Sequence, residues 1–162
     1  MLEHYSYRGA RALVLMHERY MREFLVTWKQ AKAANVALPK TEDPDYQSLE
    51  HVLAHVLRAA RGYMTWMCEK LALLDPGIES APPPERAQME ADQYLEHVLA
   101  RWREPLAKVP EERFDEVYPS RWKTVYCIDA MLEHAVCHPL RHMFQLQELM
   151  AVQTRSGTKP AA

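Results

Sequence analysis

EHAVCHPLRH, from Glu133 to His142, carries three histidines at intervals of four: His134, His138 and His142. On a helix this spacing stacks side chains on one face. SLEHVLAHVL holds a second group, His51 and His55, at the same interval. Neutral imidazole is the commonest protein ligand for zinc and also suits nickel, copper and iron. Two histidines from one helix and a third from another would leave at least one coordination position for water or substrate. His134 and His142 lie about 12 Å apart along a helix axis at 1.5 Å per residue, so they cannot both serve one ion. One adjacent pair is needed, His134 with His138 or His138 with His142. Acid–base chemistry without a metal and a plain polar stripe are the other readings. Five imidazoles beside apolar stripes are costly to bury without a shared purpose, which favours the metal.

Several familiar sites are excluded. His17-Glu18 is followed by Met21 where a second histidine would be needed, so the metalloprotease pattern fails. No histidine has a glutamate three positions before it, so the di-iron carboxylate pattern fails too. Glycine-rich phosphate loops and the serine nucleophile elbow are absent. His4, His17 and His97 have no partner at helical spacing and read as surface or half-buried residues without function. Cys68, Cys127 and Cys137 are odd in number and form no CxxC pair, which suits reduced thiols and a cytoplasmic protein. Cys137 points about 100° away from His138 on a helix and is not expected as a co-ligand. Cys68 and Cys127 read as small core residues. Glu50, Glu133 and His51 are candidate bases, and nothing in the sequence selects one of them.

These groups must be positioned by helices. The chain has 162 residues, 48% apolar and 26% charged, enough for one domain with a real core. Its net charge of −2 gives no general attraction to nucleic acid or anionic lipid. No apolar run is long enough to span a membrane, and the opening segment lacks the succession of a signal peptide. Four helical stretches are predicted. The first spans about Glu3 to Ala34, with an apolar stripe of Leu13, Met16, Tyr20 and Phe24. The second starts at the N-cap Ser48, carries Leu49, Val52, Leu53, Val56, Ala60, Tyr63, Met64, Met67 and Leu71, and ends at Asp75-Pro76-Gly77. The third starts near Pro83–Glu85, carries Ala91, Tyr94, Leu95, Val98, Leu99 and Trp102, and fades around Leu106 to Val109. VPEERFDEVYPSRW reads as irregular, with one short helical turn. The fourth spans about Lys123 to Gln153, with a kink expected at Pro139. No strand-type alternation of useful length occurs. The expected fold is all-α, a four-helix bundle over residues 1–153 with a flexible tail at 154–162.

SLEHVLAHVLRAARGYMTWM together with EHAVCHPLRHMFQLQEL resembles the DinB/YfiT-like superfamily of four-helix bundles, many of them metal-dependent enzymes. The first element of that pattern is matched by His55-Val56-Leu57-Arg58-Ala59 followed by Tyr63. The second is matched by His138-Pro139-Leu140-Arg141-His142 followed by Gln145. The resemblance implies His55, His138 and His142 as ligands of one divalent transition-metal ion, zinc or nickel. His51, His134 and Gln145 then become candidates for orienting ligands or shaping the pocket. It further implies a transferase or hydrolase acting on a small molecule, with a low-molecular-weight thiol as a candidate substrate. A non-catalytic metal-binding or stress-associated protein, or a plain helical dimerisation module, is the alternative, and a homodimer is expected in each case. Pro139 between the two ligands, and Met143-Phe144 before Gln145, depart from the family pattern and bear on pocket shape. Tyr63, Trp66, Tyr94, Trp102 and Trp122 are candidates for the pocket wall.

Overall fold

The computed structural model describes residues 4–157. Their main elements are four long helices: α1 (Arg8–Ala33), α2 (Leu49–Lys70), α3 (Pro84–Trp102) and α4 (Ile128–Gly157). A small antiparallel hairpin, β1 (Val117–Pro119) with β2 (Val125–Cys127), precedes α4. Short 3-10 turns lie at Pro44–Tyr46 and Glu111–Asp115. α1 packs along α4, and α2 packs against both α3 and α4, around one hydrophobic core.

α1 buries Ala10, Val14, His17, Met21, Phe24, Trp28 and Ala31, an unbroken three-four repeat. The expected stripe is therefore turned: Met16 is exposed and Leu13 only half-buried. The repeat is hidden in the sequence because a histidine holds its middle position. His17 itself corrects the surface assignment, since its ring is 1% exposed. Asn35, in the left-handed region at φ 50°, ends α1, and Val36 N–H closes onto the Ala31 carbonyl at 3.0 Å.

α2 starts as expected. The Ser48 side chain accepts from His51 N–H at 3.3 Å, and all nine stripe residues are buried. It ends earlier than Asp75-Pro76-Gly77. Ala72 takes a left-handed conformation at φ 52°, and Leu73 N–H reaches back to the Cys68 carbonyl at 2.8 Å. α3 buries the predicted stripe from Ala91 to Trp102.

The hairpin corrects the strand-free expectation. Val117 pairs with Cys127, Tyr118 with Tyr126 and Pro119 with Val125. Three residues per strand are too few for alternation to register in a sequence. The hairpin takes Val125 out of the fourth helix, which begins at Ile128 rather than near Lys123. α4 continues as helix through Pro139 and on to Gly157. Residues 154–157 of the expected tail are thus helical, and the remainder of that tail lies outside the described residues. Among the described residues, no helix is long and apolar enough to cross a membrane.

Candidate metal centre

α2 and α4 lie side by side, and each turns a histidine-bearing face toward the other. His55, His138 and His142 come together there, with one ligand nitrogen from each lying within 4.8 Å of the others. Of the two adjacent pairs on α4, the structure brings the later one to His55. His55 Nε2 and His138 Nε2 are 2.9 Å apart. The ring centroids of His55 and His142 are 5.3 Å apart, and those of His138 and His142 4.7 Å.

The outer edges of the rings set their tautomers. His55 Nδ1 donates to Asp45 Oδ2 at 2.8 Å, and Asp45 Oδ1 accepts from Arg58 at 2.6 Å. His142 Nδ1 donates to Gln145 Oε1 at 2.9 Å. With protons fixed on Nδ1, His55 and His142 carry their lone pairs on Nε2, and a cation bound there would replace the present His55–His138 Nε2 contact. Gln145 is thus hydrogen-bonded to one of the three clustered histidines. His138 Nδ1 is buried with no hydrogen-bond partner.

Burial sets the protonation of the cluster. It pushes His138 down to about 2, with the neighbouring His142 and His55 adding to the effect. It pushes His142 down to about 4, against a small opposing pull from Gln145. His55 is also lowered by burial, partly offset by Asp45. Burial alone would raise the Asp45 carboxyl, but Arg58 and His55 outweigh it and hold the group below its ordinary value. All three imidazoles are therefore neutral at pH 7, the form a metal requires.

The donor set fits a borderline transition metal. Tetrahedral zinc, at 2.0–2.1 Å per nitrogen, would need ligand nitrogens about 3.3 Å apart. The observed spacing, from 2.9 Å to at most 4.8 Å, brackets that value. No fourth histidine, cysteine or carboxylate joins the group among the described residues. A cleft of about 520 Å³ opens onto His55 and His138 instead.

His134 lines this cleft, with its ring 6.4 Å from His138 and close to Tyr63, Trp122 and Tyr126. Burial lowers its pKa, with Arg141 adding to the shift. His51 is engaged elsewhere: its Nδ1 lies 3.0 Å from Ser48 Oγ. Glu50 pairs with Lys32, and neither it nor the exposed Glu133 lines the cleft. Of the candidate wall aromatics, Tyr63, Trp66 and Trp122 are in place. Trp102 instead stacks on His17 at 3.6 Å and donates to the Ala60 carbonyl, and Tyr94 donates to the Glu79 carbonyl. Cys137 is exposed and outside the histidine group.

Sequence reasoning missed Asp45, Tyr46 and Tyr126. Tyr46 packs its ring against His55 and His142 at 5.7 and 5.6 Å. Asp45 and Tyr46 belong to a linker with no periodicity, and the signal that could have exposed them was the DPDY turn just before a ligand-bearing helix. No family model, curated protein or solved structure matches the chain.

Proposed function

We propose that the chain is a metal-dependent enzyme of transferase or hydrolase type, built as a four-helix bundle of the DinB/YfiT-like kind. Its cofactor in this reading is one divalent transition-metal ion, zinc or nickel, held by His55, His138 and His142. One observation carries the reading: three neutral imidazoles converge from two helices, two of them with Nδ1 tied to Asp45 and Gln145. When bound, the ion would act as a Lewis acid that lowers the pKa of a ligand such as a thiol or water.

The chain's own residues supply the rest. Asp45 holds His55 in the correct tautomer and adds negative charge behind it. Tyr63, Trp66 and Trp122 wall the cleft. His134, neutral and half-buried in the cleft, is placed to take or return a proton on a bound substrate. The open cleft, and the lack of a fourth ligand among the described residues, favour turnover over a closed structural ion. A low-molecular-weight thiol remains the proposed small-molecule substrate, and a cytoplasmic homodimer the proposed state.

Cobalt substitution tests this. Adding 2-mercaptoethanol to the cobalt-loaded protein should produce a thiolate-to-metal charge-transfer band in the near ultraviolet, absent in His55→Ala. A cobalt spectrum unchanged by the thiol would remove the thiol-dependent reading. His134→Gln should keep the band while slowing turnover, once a substrate is found.

A further inference from the structure

The two ligand-bearing helices repeat a short pattern: His55-Val56-Leu57-Arg58 on α2 and His138-Pro139-Leu140-Arg141 on α4. An arginine three residues after each histidine lies on the same helix face, one turn further on. Both arginines line the cleft beside the histidines, as does Arg121 from the hairpin loop. Among the described residues the only carboxylate lining it is Asp45, whose two oxygens are already taken by Arg58 and His55. Arg141 has no hydrogen-bond or ion-pair partner among the described residues, and Arg58 uses one nitrogen only. Three arginines against one engaged carboxylate make this cleft cationic in a chain whose net charge is −2.

The cleft also has a flat apolar side. Gly62 sits inside α2, where glycine weakens a helix by about 1 kcal/mol relative to alanine. A Cβ added there would meet nothing within 4 Å, so no packing contact of the protein requires glycine. The space lies in the cleft wall, next to Tyr63 and one turn before Trp66. Trp122, 54% exposed, lines the same cleft from the hairpin loop, its ring 6.0 Å from that of Tyr63. An exposed indole beside an open, ring-lined hollow is suited to stacking on a planar group.

We propose that this cleft binds a small aromatic carboxylate, its anionic group held by Arg141 and Arg58 and its ring seated over Gly62 beside Trp122. A carboxylate is the group whose plane and charge match a guanidinium fork. Calling the ligand a substrate rests on the metalloenzyme reading, but the binding itself does not require the ion.

Calorimetric titration with benzoate and with its neutral analogue benzamide tests the proposal, on metal-free and on zinc-loaded protein. Benzoate should bind both forms, and benzamide about tenfold or more weakly, the scale of one charge-assisted pair. Arg141→Gln should cut benzoate affinity about tenfold without changing zinc content. Gly62→Leu should block benzoate while leaving the melting temperature unchanged or higher. Equal affinity for benzoate and benzamide, or unchanged benzoate binding in Arg141→Gln, overturns the proposal. If benzoate binds as described but zinc does not, the metal reading fails alone. If zinc binds and benzoate does not, the cleft assignment fails alone.

Discussion

Two side chains show how single residues shape this molecule. Asp45 lies outside any helix stripe, yet it fixes the ring of His55. Removing such a partner commonly weakens metal affinity by 10–100-fold. Asp45→Asn should therefore lower zinc affinity by about that factor in competition with a chelator, with helical content unchanged. An unchanged affinity would show that His55 needs no orienting carboxylate. His17 acts on stability instead. Both of its ring nitrogens are buried without a partner, and burial pushes its pKa from 6.5 to about 3. The unfolded chain thus binds a proton that the folded chain refuses between those values, so stability rises with pH across that window. His17→Leu in metal-free protein should make this dependence shallower, leaving the share that the buried His138 and His142 contribute in the same direction. It should also raise stability at pH 7 by about 1 kcal/mol, because an unsatisfied buried polar group is replaced by an apolar one. A loss of stability in urea unfolding would instead assign the ring a partner. Helical spacing narrowed the candidates to the pair His51 and His55 and the row His134, His138 and His142, and the family resemblance chose His55, His138 and His142 among them. His17 was not legible, because a residue's polarity says nothing about whether it occupies a core position of a repeat.

The helices were legible for a simpler reason: their apolar residues recur at three and four over many turns. α2 reproduces its whole stripe and its serine cap. Ser48→Ala should cost about 1 kcal/mol, the usual worth of an N-cap. Gly62→Ala should return a similar amount, about 1 kcal/mol, through helix propensity. Thermal unfolding of both variants checks these opposite signs. The ends of helices were less legible, because Asn35 and Ala72 stop α1 and α2 through backbone conformation rather than composition. Pro139 removes one backbone donor, yet α4 carries on through it. Ala135, His138 and Pro139 are all buried, so packing outweighs the local deficit. The hairpin escaped notice for want of length, and with it the loop that delivers Trp122 to the cleft. Trp66 Nε1 donates to the Pro119 carbonyl at 3.3 Å and ties that hairpin to α2.

At the scale of the whole molecule, one core holds α2 and α4 in the register that brings their histidines together. That register depends on packing along entire helices, which spacing within either helix cannot specify. Outer faces matter for assembly. Phe144 on α4 is 56% exposed and borders a shallow depression with Ala151. If this face joins two copies in the proposed homodimer, Phe144→Ser should shift the sedimentation coefficient to that of a monomer without altering metal content. A wild-type protein that already sediments as a monomer would end the dimer proposal. The central claim is that one ion sits among His55, His138 and His142. Its most direct measurement is elemental analysis of protein purified without a histidine tag and then exposed to zinc or nickel. About one equivalent per chain should remain after desalting, and His55→Ala, His138→Ala and His142→Ala should each lose most of it, while His97→Ala should not. Less than about a tenth of an equivalent in the wild type, or equal occupancy in all four variants, would contradict the account.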